Sequence, residues 1–187
     1  MLKWIIRRKL KAFGRENHYD VSHMQELLNA DLGAFLKFVR ATTLGYYRKD
    51  IPLEVHYAAG LTAVIHADCG PCTQLGVNFA LKAGLAEATV AAIASGNDAA
   101  MSPDVALGVR FARAVIAHDA DADTLRAEIV RRWGQRALIS LTFAIIAAAL
   151  YPTLKYGLGH GQACTRIMVG DQKITPRQVP TAAARLA

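Results

Sequence analysis

Cysteine is scarce. Three residues in a chain of 187 are too few for a disulfide-stapled secreted scaffold. Charge is scarce as well. Only 20% of residues are charged and 53% are hydrophobic, which excludes a disordered chain and leaves ample material for a core. Aromatic residues make up 7% of the chain and do not interleave with the cations, so no base-stacking platform is built and no nucleic acid partner is expected. Alternating strand patterns with hairpin turns are almost absent, and no internal linker, low-complexity block or repeat interrupts the chain. Nor does a secretory signal open it. Trp4, Ile5 and Ile6 are followed at once by Arg7 and Arg8, and no 7–15-residue apolar region forms.

What is present is one domain's worth of helical punctuation. The net charge is +7, and much of it is concentrated in Lys3, Arg7, Arg8, Lys9, Lys11 and Arg15. With Trp4, Ile5, Leu10 and Phe13 between them, residues 1–15 read as a short amphipathic basic helix. Such a helix can make weak contact with an anionic membrane surface, or it can dock on the domain or on a neighbouring subunit. Ser22 and Gln25 have capping-box spacing, Asp31 is placed to cap a second helix, and Asp50-Ile51-Pro52 with Glu54 marks a third start. Asp68 is placed to cap a helix that begins at Cys69 and stops at Gly84. Glu87–Ala94, a helix after Ser102-Pro103, a helix capped by Asp123, and Arg136–Tyr151 follow. Residues 137–154 carry no charge, which reaches the lower edge of membrane-spanning length. Ser140, Thr142 and Pro152 favour a buried central helix instead, in a soluble, cytoplasmic protein. The expected fold is all-α. Its parts are an N-terminal helical extension over 1–48, a core over 49–160, and an irregular C-terminal tail over 161–187.

Clear chemical content is confined to Cys69-Gly70-Pro71-Cys72. Two thiols at this spacing at a helix N-terminus face unpaired N–H groups and the positive end of the helix dipole, both of which favour a thiolate. In an intracellular chain such a pair reads as redox-active. The bland alternatives are an inert buried pair and half of a zinc site. Zinc would need two further ligands, with His66, His160 and Cys164 as the candidates, and no second C-x-x-C or H-x-x-x-H is present. Cys164 reads as a bystander. The tetrapeptide is also that of thioredoxin, but the preceding strand and βαβ context of that fold are missing.

A wider pattern accompanies the motif. A helix opening near Glu54 leads into Cys69 and Cys72. Ala83-Gly84-Leu85-Ala86-Glu87 then begins a short acidic helix, Arg110–Val115 lies in the next, and Leu138–Leu150 is apolar. This order resembles the alkylhydroperoxidase D-like / carboxymuconolactone decarboxylase superfamily over residues 52–159, more than half of the chain. The resemblance implies an all-α fold with C-x-x-C at a helix N-terminus. It implies a thiol-dependent oxidoreductase that reduces organic hydroperoxides or exchanges disulfides with a thiol/disulfide electron-donor protein. It further implies a homo-oligomer, and no cofactor or metal. Its mechanism makes Cys72 the sulfenic acid and Cys69 the resolving thiol, whereas helix physics favours Cys69 as the thiolate.

Two positions depart from the family pattern. Its histidine, four residues after the second cysteine, is Gly76 here. Its glutamate, twelve residues before the first, is Tyr57. Glu54, one turn earlier, and His66, three residues before Cys69, are the substitute relay candidates, with His56 and Gln74 as further polar groups. The alternative is a catalytically degenerate helical module that binds or scaffolds a partner. A non-redox decarboxylase on the same fold is disfavoured, because that chemistry does not require two thiols.

Overall fold

A computed structural model describes residues 1–177, and the last part of the expected tail lies outside the described residues. The described chain is helical apart from two three-residue strands. Its helices are α1 (Leu2–Glu16), α2 (Ser22–Ala30), α3 (Leu32–Thr42), α4 (Leu53–His66), α5 (Gly70–Lys82), α6 (Glu87–Ser95), α7 (Pro103–Ala117), α8 (Asp121–Trp133) and α9 (Gln135–Gly157). The strands β1 (Ile167–Val169) and β2 (Gln172–Ile174) pair antiparallel, with Met168 opposite Lys173.

Helix α4 is the axis of the fold. Small and branched residues cover it on all sides: Ala58, Ala59 and Ala63 are buried on it together with Val55, Leu61 and Ile65. A helix apolar all round must be surrounded, and α4 packs against α7 and α9 along its length and against α5 and α6 near its C-terminal half. The α4–α7 approach depends on Gly108. A Cβ there would sit 2.8 Å from Val55 Cγ1 and 3.1 Å from the Val55 carbonyl oxygen. One core cluster, with Val55, Leu107, Phe111 and Ile129, lies between α4, α7, α8 and α9. A second, with Ile65, Val77, Val90 and Ile167, contains all three cysteines.

The 1–48 extension docks on the rest through a third cluster. Met24, Leu28 and Phe35 are its centre, and Ile6, Leu10, Tyr151 and Leu154 pack on them. Trp4 and Ile5, which the sequence groups with the docking side of α1, point outward instead, and Arg8 lies 5.0 Å from the Trp4 ring centroid. Among the described residues, α9 alone is long and apolar enough to cross a membrane by length and composition. One side of it is core, through Leu138, Leu141 and Ile145.

Asp31 and Ser102 cap α3 and α7 as expected, through the Ala34 and Val105 N–H groups. Three other expected caps differ. Ser22 is the first residue of α2 rather than its cap, and both its N–H and its hydroxyl donate to Asp20. Helix α8 starts at Asp121, two residues before the Thr124 start would place its cap, with the Asp121 N–H donating to Asp119. Asp68 does not cap α5. It takes a left-handed φ of 51°, and its carboxylate accepts from the Cys164 N–H at 2.8 Å. The expected irregular tail also gains order. Residues 160–177 run back over the α4–α5 junction as a strap, held by Gly70 N–H to the Gln162 carbonyl at 2.9 Å and by Arg177 N–H to the Ala94 carbonyl at 3.0 Å.

Candidate redox site at the start of helix α5

With Asp68 turned away, Cys69 itself occupies the N-cap of α5, and Pro71 fills the first turn where its missing N–H costs nothing. Cys72 then falls one turn along, and the two sulfurs face each other at 2.6 Å as free thiols. Cys69 is fully buried and Cys72 is 7% exposed. The pair is polarised. The Cys72 S–H, the Cys72 backbone N–H and the Lys155 ammonium pull the Cys69 thiol down to about 7 against the opposing effect of burial, and the Cys72 contribution is the largest. Cys72 is pushed up, first because its proton is held toward Cys69 and then by burial, with the Tyr19 hydroxyl opposing. Cys69 is the thiol lowered toward its thiolate form, the one that the helix argument favours.

The groups around the pair are not those the sequence nominates. Glu54 is exposed in the first turn of α4 and makes no hydrogen bond to either cysteine. His66 is half-buried at the end of α4. Its Nδ1 is enclosed without a partner, and no hydrogen bond joins it to Cys69. His56 Nε2–H donates to the Gly45 carbonyl at 3.1 Å. Gln74 locks the hairpin: its Oε1 accepts from the Met168 N–H at 2.7 Å, and its Nε2 donates to the Met168 carbonyl at 2.9 Å.

Instead, the extension and α9 close over the thiols. Tyr19, from the α1–α2 connection, places its hydroxyl 3.5 Å from Cys72 Sγ. Lys155, on α9 and 1% exposed, holds its ammonium 4.8 Å from the Tyr19 ring centroid. His23, on α2, is fully buried and meets Tyr19 and Tyr151 edge to face. Outside this layer His160 bridges Glu26 at 2.7 Å and Ser22 at 3.3 Å, tying α2 to the end of α9. Sequence offers one signal for this second group. Lys155 is the first charge after the uncharged run of residues 137–154. Tyr19 and His23 carry no such mark.

Cys164 lies in the same core cluster as the pair, brought there by the strap. Burial pushes its thiol up, so little thiolate forms there at neutral pH. Over the first turn of α5 the strap leaves a cleft of about 370 Å³, lined by Gly70, Pro71, Gln74, Gln162, Arg166 and Met168. No group of three or more metal-ligating side chains assembles among the described residues.

His23 makes a prediction of its own. Burial first, and Lys155 second, lower it from 6.5 to about 4. Between those values the unfolded chain binds more protons than the folded one, so stability rises with pH and is lost as pH falls through that window. The melting temperature is expected to drop between neutral pH and pH about 4.5, and His23→Phe to flatten that drop. An equal drop in the variant would assign the acid sensitivity elsewhere.

No protein-family model, curated protein or solved structure matches this chain.

Proposed function

We propose that the protein is a thiol-dependent oxidoreductase that cycles Cys69 and Cys72 between dithiol and disulfide. Its substrate is a small organic hydroperoxide or the disulfide of a partner protein. The observation that carries this reading is the polarised pair: two free sulfurs 2.6 Å apart at a helix N-terminus, one lowered toward neutrality and the other holding the proton.

With a hydroperoxide the step balances as follows. The Cys69 thiolate attacks the peroxide oxygen, the O–O bond breaks, and the alkoxide leaves as alcohol on taking a proton, giving a sulfenic acid at Cys69. The Cys72 thiol then displaces water from that sulfur and closes the disulfide. A dithiol reductant of the donor-protein class returns both thiols. The cleft over Gly70 and Pro71 gives the donor a place to approach the first turn of α5.

A second reading, a catalytically degenerate helical module that binds a partner, is favoured by α1. Its outer face leaves Trp4 and Ile5 exposed among cations, as membrane-surface contact or a docked partner requires. The family likeness also implies a homo-oligomer. Light scattering on the purified chain tests that expectation.

The functional test is consumption of an organic hydroperoxide with a dithiol reductant, with the redox state of Cys69–Cys72 followed by mass spectrometry. Turnover with accumulation of the disulfide when reductant is withheld is the expected result. No turnover, together with two thiols slow toward an alkylating reagent, would sink the oxidoreductase reading and leave the binding module in its place.

A further inference from the structure

Lys155 is the unusual feature of the described chain. Its side chain is enclosed at 1% exposure, yet no carboxylate lies within ion-pairing distance of it among the described residues. Asp20 is within its electrostatic reach, but both Asp20 oxygens accept from Ser22 at the surface. The α9 and α2 groups on its other sides offer no anion. His23 is neutral near pH 7, Tyr151 is pushed further toward its neutral form by burial, and His160 is joined to Glu26. What does face the ammonium is the π surface of Tyr19, whose hydroxyl touches Cys72, and beyond it the two sulfurs. A buried cation without an anion is strongly destabilising, and a cation over an aromatic ring recovers only part of that cost.

We infer that Lys155 is the fixed counter-cation of a Cys69 thiolate, a positioning residue that keeps the negative charge on the thiol pair. The inference deepens the oxidoreductase reading and rests on it for its biological use. It places the electrostatic support of the thiols on α9 and the N-terminal extension rather than on α4. Tyr19 is the spacer: its ring holds the ammonium and its hydroxyl holds Cys72, so the cation acts through its field and not through a direct bond. Asp68, the anion nearest in sequence to Cys69, acts against the thiolate, and its carboxylate is turned to the Cys164 N–H.

The test needs no turnover. In the reduced full-length chain, Cys69 alkylation by iodoacetamide is followed across pH by peptide mass spectrometry, beside ultraviolet titration of the thiolate. Lys155→Met is expected to move the Cys69 midpoint upward and slow its alkylation at pH 7 about fivefold, the effect of one pH unit on a group that titrates near neutrality. Lys155→Arg, which keeps the charge, is expected to restore the profile. A folded Lys155→Met with an unchanged Cys69 profile overturns the inference, whatever its melting temperature.

A cycle with Cys69→Ala reads the same coupling from the other side. Cys69→Ala strands the cation and is expected to melt lower than wild type, and adding Lys155→Met to it is expected to recover the loss. A double variant that melts below Cys69→Ala, or does not fold, overturns the inference even where Lys155→Met alone cannot be titrated. Failure of the functional reading looks different: no hydroperoxide is consumed, while Lys155→Met still shifts the thiol.

Discussion

Cys72→Ser is expected to consume a single equivalent of hydroperoxide in a burst and then stop, while Cys69→Ser consumes none. The asymmetry follows from the polarisation of the pair. Cys69 at the N-cap of α5 carries the thiolate, stabilised first by the Cys72 S–H. A serine hydroxyl at position 72 is still a donor, so Cys69 stays activated and can be oxidised once to the sulfenic acid. It then has no thiol beside it to close a disulfide, and turnover with a dithiol reductant falls at least to the rate of direct reduction. In Cys69→Ser the remaining thiol is the one pushed up by burial, with the Tyr19 hydroxyl as its hydrogen-bond partner, and little thiolate forms near neutral pH. Rapid-quench measurement of peroxide loss, with the oxidised cysteine located by mass spectrometry, separates the two. The slight exposure of Cys72 favours the reverse order. A burst in Cys69→Ser and none in Cys72→Ser would show that access outweighs thiolate character.

The second large effect concerns stability. Phe111, on α7, is 2% exposed and lies in the cluster between α4, α7, α8 and α9, away from the cysteine cluster. Phe111→Ala removes most of a buried ring and leaves a cavity that this close-packed layer cannot collapse, because Gly108, one turn earlier, already brings the α7 backbone against Val55. The expected loss is about 3–5 kcal/mol. For a chain of this size that lowers the melting temperature by about 6–20 °C, at roughly 2–4 °C per kcal/mol. Differential scanning calorimetry reads it directly. The Cys69 alkylation profile should not move, since the thiol site is built on the other face of α4. A shift in that profile would show that the two clusters do not act independently.

Local punctuation was legible wherever one residue decides a backbone state. Asp31 and Ser102 cap their helices. Pro52 precedes α4, with Glu54 in its first turn. Gly84 takes a φ of 97° just past α5, and Gly96 closes α6 in the left-handed region. These outcomes depend on φ preference and on one side-chain acceptor, both of which are properties of the sequence. The misplaced caps have a common cause. Asp20 and Asp119 take the N–H groups at the starts of α2 and α8 ahead of Ser22 and Asp123, and Asp68 accepts from a backbone N–H 96 residues away.

The same division runs through the candidate site. Spacing alone put two thiols one turn apart at a helix start. It could not choose Lys155, Tyr19 and His23 over Glu54 and His66, because nearness in sequence counts for little once α9 and the N-terminal extension fold across the start of α5. Nor could it foresee that residues 160–177 return to seal the thiols, with Gln74 serving as an extra rung for β1. Composition and periodicity determined that this protein is helical, that α9 contributes to its core, and that two thiols sit one turn apart at a helix start. The tertiary structure alone decided which charges surround that sulfur. An apolar period names the face a helix buries, but the partner across that face is set by long-range packing, and an electrostatic field is the sum over partners.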